Sequence, residues 1–127
     1  MRVKLTSVFV DDQAEALRFY TEVLDLIKKT DLPAGRFRRL TVVSPEGPDD
    51  LELLLEPNAN PAAEAYQRAI YEEGIPATSF LVDDLQAEYD RLTKLGVVFR
   101  TAPMRSEWGL DAVFDDTCGN FIGLHQI

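Results

Sequence analysis

The sequence predicts an α+β protein made of two βαβββ modules in tandem, and two internal repeats support this prediction. The motif Val-Asp-Asp occurs at residues 10–12 and again at 82–84, each time between a strand-like and a helix-like stretch. Turn-like segments at residues 44–47 and 116–119 repeat with the same offset of 72 positions. Self-similarity at a fixed spacing indicates one structural unit used twice. We therefore expect a functional site in the groove between the two copies.

Composition narrows the classes of protein to consider. The 127 residues are 46% hydrophobic and 28% charged, which is typical of one soluble globular domain. A net charge of −9 repels nucleic acid and anionic membranes, so neither is an expected partner. No apolar run approaches the roughly 20 residues that span a bilayer, and residues 1–6 lack a signal-peptide core, which predicts a cytoplasmic protein. The single cysteine, Cys118, cannot form an internal disulfide.

The first module is predicted to occupy residues 1–57. Its strands carry β-branched and aromatic residues, its helix has apolar side chains at helical spacing, and the pair at residues 11–12 is placed to cap that helix. Pro and Gly make residues 31–35 a predicted loop. The predicted elements are a strand at 4–10, a helix at 13–24, and strands at 26–30, 37–43 and 51–56.

A connecting helix over residues 62–73, within a linker at 58–74, leads to the second module at 75–127. The same order of elements recurs there, and an irregular loop over residues 102–109 carries Trp108. Loops over a rigid sheet often contact ligands, so Trp108 is a candidate ligand contact or a cover for the sheet end. The predicted elements are a strand at 77–82, a helix at 85–95, and strands at 97–101, 110–114 and 120–126.

Strand alternation predicts which side chains face the cavity. Residues 51, 53 and 55 are all Leu and are expected under the helices, so Glu52 faces the cavity. Burial disfavours a charged carboxylate unless a cation or hydrogen bonds compensate it, so Glu52 is a candidate base or anchor for a cationic ligand. The alternative is a carboxylate exposed to water or paired with Arg36, Arg38, Arg39 or Arg100. The other candidate ligand contacts are Leu5, Ser7, Phe9, Phe37, Ala77, Ser79, Trp108, Phe121, Gly123 and His125.

Each secondary candidate has a structural alternative. The phenylalanines fit plain packing as well as ligand walls. His125 fits a partly exposed C-terminal histidine, and Cys118 has no histidine close in sequence to activate it, so an inert thiol is expected. The acidic pairs at 11–12 and 83–84 precede helices, so we expect helix caps there and not a metal site.

The chain also resembles a known superfamily. The Val-Asp-Asp motif followed by Phe19-Tyr20 and Val23-Leu24, together with residues 114–120, is similar to the vicinal oxygen chelate superfamily of glyoxalase I, bleomycin-resistance proteins and extradiol dioxygenases. This resemblance covers nearly the whole chain. It implies two βαβββ modules whose sheets curve around a cavity, in a homodimer. It does not fix the function, because these relatives include isomerases, oxygenases and non-catalytic binding proteins.

Metal-dependent members of that superfamily take one ligand from the first and last strand of each module. The resemblance places those positions at Leu5, Glu52, Ala77 and Gly123, of which only Glu52 offers a donor. A catalytic transition metal normally has about three protein ligands, so we expect neither a metal nor another cofactor. A relocated site at Glu52 and His125 would still need a third ligand.

Three functions remain open at this point. The favoured prediction is a metal-free protein that binds a small, partly apolar or aromatic molecule, with any catalysis resting on Glu52. The first alternative is a metal-dependent lyase or dioxygenase of the glyoxalase type. The second is a sequestering or regulatory module without turnover, comparable to bleomycin-resistance proteins.

Overall fold

The computed structural model describes all 127 residues and confirms an α+β fold of two successive βαβββ modules. Helix α1 continues directly into a single π-helical segment at Phe19–Val23. The elements are β1 (Leu5–Val10), α1 (Gln13–Arg18), β2 (Ile27–Ala34), β3 (Phe37–Val43), β4 (Glu52–Pro57), α2 (Pro61–Glu72), β5 (Thr78–Leu81), α3 (Leu85–Lys94), β6 (Phe99–Ser106), β7 (Gly109–Asp115) and β8 (Phe121–Gln126).

The chain divides into two compact units, residues 1–64 and residues 65–127. Each unit contains one four-stranded sheet, in the order β1-β4-β3-β2 in the first and β5-β8-β7-β6 in the second. In each sheet the first pair of neighbours is parallel and the remaining pairs are antiparallel. No helix combines the length and the apolar character needed to cross a membrane.

One face of each sheet is covered by the helix of its own unit. In the first unit, Leu53 and Leu55 of β4 are buried together with Ala16 and Tyr20 of the helical segment. In the second unit, Leu92 of α3 is buried with core residues of β7 and β8. Both helices begin at the predicted aspartate, since Asp12 accepts the Glu15 N–H and Asp84 accepts the Ala87 N–H at 3.1 Å each. We call the face of each sheet opposite α1 or α3 its open face.

The sequence placed three boundaries incorrectly. Residues 31–34 and 102–106 are strand and not loop, although each stretch contains a proline. Strands β2 and β6 lie at the edges of their sheets. Proline has no backbone N–H to donate, and an edge strand tolerates this because one of its sides forms no hydrogen bonds with another strand. Leu51 lies outside β4 and is exposed, so only Leu53 and Leu55 form the buried leucine face. The first helix changes to π-helical hydrogen bonding at Phe19, whose carbonyl accepts the Leu24 N–H at 3.1 Å.

Candidate functional site

The open face of the first sheet contains the predicted candidates of β1 and β4. Register places Leu5 beside Glu52, Ser7 beside Leu54, and Phe9 beside Glu56. Because alternate residues of a strand share a face, these side chains lie opposite the buried Leu53 and Leu55. The face therefore combines apolar side chains with the carboxylate of Glu52.

Glu52 is held by hydroxyl groups that come from neighbouring strands. Its Oε1 accepts a hydrogen bond from Thr41 Oγ1 at 2.7 Å and a long one from Thr30 Oγ1 at 3.5 Å. Its Oε2 has only a loose ion pair with the exposed Lys4, at 3.6 Å, and the side chain is 13% exposed. The Thr41 hydrogen bond is the main cause that lowers the pKa of Glu52, with help from the charges of Lys29 and Lys4 and against the opposing effect of burial. Glu52 is therefore a charged carboxylate and a weak base, with Oε2 available to a ligand.

The arginines proposed as partners for Glu52 are engaged elsewhere or show no contact with it. Arg38 forms a two-pronged ion pair with Asp31, at 3.0 and 2.7 Å. Arg36 lies over the ring of Phe37, which is half-buried on β3. Arg100 belongs to the second unit and lies over Phe121. An arginine partner, one of the alternatives for Glu52, is therefore not found: its partners are Thr41, Thr30 and Lys4, which alternation within β4 does not reveal.

On the second sheet, Phe121 is covered by its own unit. Its ring stacks on Tyr71 of α2 at 4.4 Å between centroids with planes 4° apart, and it is 8% exposed. The Tyr71 hydroxyl donates to Asp115 at 2.6 Å, which fixes the tyrosine over the phenylalanine. That hydrogen bond and burial raise the pKa of Tyr71. This arrangement favours the packing interpretation of Phe121 over its role as a ligand wall.

His125 has a partner that the sequence analysis missed. Its Nδ1 lies 2.7 Å from Asp111 Oδ1, and Asp111 Oδ2 accepts the Ser106 hydroxyl at 2.9 Å. The His125 hydrogen bond is the main cause that lowers the pKa of Asp111, followed by that of Ser106. Register aligns Asp111 with His125 across β7 and β8, a pairing that no local pattern specifies. His125 is thus partly exposed, as expected, with 26% of its side chain accessible, and it is also part of a His–Asp pair.

The other candidates occupy varied positions. Trp108 lies in the two-residue turn between β6 and β7 and is 77% exposed. Ser79 is exposed beside the buried Gly123 on the open face of the second sheet. Ala77 precedes β5 and donates its N–H to the Phe121 carbonyl at 2.8 Å. Cys118 is buried and forms no disulfide.

Strand register corrects the assignment of equivalent positions in the two modules. Thr41 pairs with Leu54, and Val113 pairs with Gly123. Thr41 and Val113 are 72 positions apart, whereas Leu54 and Gly123 are only 69 apart. The counterpart of Gly123 is therefore Leu54, and the counterpart of Glu52 is Phe121. The two positions taken as equivalent metal ligands are not equivalent.

The side chains at these positions do not fit a metal. No side-chain atom that could bind a metal is present at Leu5, Ala77, Phe121 or Gly123. The same is true of Leu54, the counterpart of Gly123 in the first module. Glu52 already has Oε1 hydrogen-bonded to Thr41. No group of three or more His, Cys, Asp or Glu side chains in the structure is arranged to hold a metal ion.

These features define a glyoxalase-like protein: two tandem βαβββ modules, each with a four-stranded mixed sheet. The chain belongs to the Glyoxalase/Bleomycin resistance protein/Dioxygenase superfamily, whose sequence profile matches residues 2–124.

Its relatives include proteins of known structure. The chain is 55% identical to the uncharacterized protein YurT of Bacillus subtilis (strain 168) over 99% of both chains. It is 30% identical to UcmS2, with a TM-score of 0.85 over 98% of this chain and 97% of UcmS2. It is 29% identical to TnmS3, an antibiotic binding protein from Streptomyces sp. CB03234, with a TM-score of 0.77 over 99% of this chain and 95% of TnmS3.

Proposed function

We propose that this protein binds a small, partly apolar or aromatic molecule without a metal and without converting it. The observation that carries the proposal is the state of Glu52, the one predicted catalytic residue. Its carboxylate is charged, hydrogen-bonded to Thr41 and lowered in pKa, which suits an anchor better than a base. The likeness to TnmS3, an antibiotic binding protein, supports binding as the activity.

Glu52 also indicates the chemistry of the ligand. Oε1 is occupied by Thr41, while Oε2 has only the loose contact with Lys4. The surrounding open face offers the apolar side chains of Leu5 and Leu54. A ligand would complement both features if its amine or N–H group donated to Glu52 Oε2 and its aromatic ring packed on Leu5 and Leu54. The expected ligand is therefore an aromatic molecule with a cationic or donor group.

Replacing Glu52 should weaken the binding of a cationic ligand selectively. We expect Glu52→Gln to reduce the affinity for tryptamine about tenfold, since a hydrogen bond to a charged group contributes about 1.5–3 kcal/mol. The affinity for tryptophol, which replaces the amine with a hydroxyl, should fall less, because tryptophol carries no charge to pair with the carboxylate and its hydroxyl can still donate to the amide oxygen of the variant. Isothermal titration calorimetry with both compounds measures the difference.

Two controls make this test specific. Glu46→Gln removes the same charge from an exposed turn and should leave both affinities unchanged. Chelation with EDTA should not alter binding, and mass spectrometry should recover each compound unchanged. A stoichiometric divalent ion in the purified protein, together with a reaction that stops on chelation, would instead establish the metal-dependent lyase or dioxygenase.

We further propose that the protein is a homodimer. Large apolar side chains are exposed on both units, among them Ile27, Leu32, Val98 and Trp108. Exposed apolar surface of this extent is typical of association surfaces, and a second copy is the usual occupant. Light scattering coupled to size-exclusion chromatography should give twice the mass of one chain, and a single-chain mass at micromolar concentration would contradict this expectation.

A further inference from the structure

One cross-strand row on the open face of the second sheet combines apolar and polar side chains. Leu81 on β5 pairs with His125 on β8, His125 with Asp111 on β7, and Asp111 with Met104 on β6. Leu81 and Met104 are each 61% exposed and flank the His–Asp pair. Neighbouring strands lie about 4.8 Å apart, so the row spans roughly 14 Å.

The His–Asp pair leaves one ring nitrogen of His125 available. Asp111 is a charged acceptor, because the hydrogen bonds from His125 and Ser106 lower its pKa. Because a carboxylate can only accept, the 2.7 Å contact places a proton on His125 Nδ1, and in the neutral ring the lone pair then lies on Nε2. Nδ1 makes the ring's only hydrogen bond, and no buried side-chain nitrogen lacks a partner, so Nε2 is accessible to solvent. The row thus presents one oriented acceptor between two apolar side chains.

The Ser106 hydroxyl fixes this arrangement at the hairpin turn. It donates to Asp111 Oδ2 at 2.9 Å and accepts the Trp108 N–H at 3.2 Å. Asp111 is therefore held from two sides, by Ser106 and by His125. An acceptor whose orientation is fixed before binding loses less entropy when a ligand donates to it.

We propose that this row is a binding subsite for phenolic aromatic molecules, whose ring system lies on Leu81 and Met104 and whose hydroxyl donates to His125 Nε2. A phenol supplies a flat apolar body and a strong O–H donor, which are the two properties that the row complements. The subsite rests on the proposed small-molecule-binding function and specifies one chemical class of ligand for it.

A matched pair of probes tests the hydrogen bond. 2-Naphthol and 2-methoxynaphthalene share the ring system, but only the first has a donor. At about pH 7.5, calorimetry should show 2-naphthol binding about tenfold tighter than its methyl ether. His125→Asn offers its amide N–H to Asp111 and lacks Nε2, so it should abolish this preference while leaving the affinity for the ether within about twofold.

Leu81→Ala provides the second variant. It removes apolar contact without touching the hydrogen bond, so it should weaken both probes equally and preserve their ratio. Circular dichroism melts verify that each variant is folded. Equal binding of the two probes to the native protein, or a preference that survives His125→Asn, would overturn the subsite and leave the proposed function standing. Failure of both probes would overturn it too, and the proposed function fails with it only if tryptamine and tryptophol also do not bind.

Discussion

Asp116→Ala should destabilise the protein by about 3–5 kcal/mol, because it removes a buried carboxylate that accepts three hydrogen bonds from buried residues. Asp116 Oδ1 accepts the backbone N–H groups of Cys118 and Asn120 at 2.8 and 3.0 Å. Oδ2 accepts the Asn120 side-chain amide at 2.9 Å. All three residues are buried, so water cannot replace the lost acceptor without opening the loop.

The loss should spread from this loop to helix α2. Gln67 of that helix donates to the Cys118 carbonyl and to Asn120 Oδ1, at 3.2 Å each. Once Asn120 is no longer held by Asp116, the contact that fixes Gln67 weakens as well. Urea denaturation followed by circular dichroism measures the free energy of unfolding, and the melting temperature should fall by about 10 °C or more.

Asp12→Ala is the matched control. It also deletes an aspartate that accepts a backbone N–H, but its loop is exposed and the bond is single, to Glu15 at 3.1 Å. Loss of such an N-cap costs about 1 kcal/mol. Equal destabilisation by the two substitutions would show that the burial of Asp116 does not increase its contribution to the free energy of unfolding.

Gly109→Ala should destabilise the protein by about 3 kcal/mol or more, through strain at the start of β7. Gly109 has φ of +132°, a backbone conformation that residues with a Cβ rarely adopt. An added Cβ would lie 2.0 Å from the Gln126 carbonyl oxygen, and that oxygen belongs to backbone that cannot rotate away. Relief requires β7 and β8 to separate where Leu110 pairs with Gln126.

The displacement should also reach helix α3. Gln126 Oε1 accepts the Leu85 N–H at 2.8 Å, so movement of Gln126 removes a bond from the first turn of that helix. Amide hydrogen exchange should therefore rise at Leu110 and Leu85 together, in addition to a lower unfolding free energy.

Gly35→Ala separates the clash from the backbone conformation. Gly35 also has positive φ, +62°, but nothing lies within 4 Å of the added Cβ. Its cost should be about 1 kcal/mol, which is that of a left-handed residue alone. If Gly109→Ala lowered the free energy of unfolding no more than Gly35→Ala, the contact with the Gln126 carbonyl would not contribute to the destabilisation.

Local signals in the sequence were sufficient to predict the order of the helices and strands in this fold. The aspartates at 12 and 84 cap helices as predicted, because an N-cap depends only on residues one turn away. The faces of β4 followed from alternation, since a period of two is a property of a single strand. The repeat of the Val-Asp-Asp motif was sufficient to predict two modules. Edge position, which allowed Pro33 to lie within β2, is a property of the whole sheet and was not predictable locally.

The composition of the candidate sites depended on tertiary structure. The partners of Glu52 are Thr41 and Thr30 of other strands, and the partner of His125 is Asp111 of β7. The connection between β3 and β4 covers residues 44–51, whereas that between β7 and β8 covers only 116–120. This shorter connection shifts the register, so Phe121 and not Gly123 is the counterpart of Glu52.

The sequence by itself thus determined the two modules, their helix caps and the two faces of β4, because these depend on residues adjacent along the chain. Only the tertiary structure decided that Glu52 is hydrogen-bonded to Thr41, which lowers its pKa, and that His125 is paired with Asp111. Both depend on strand register, which is set by the lengths of connections and by packing between residues distant in sequence.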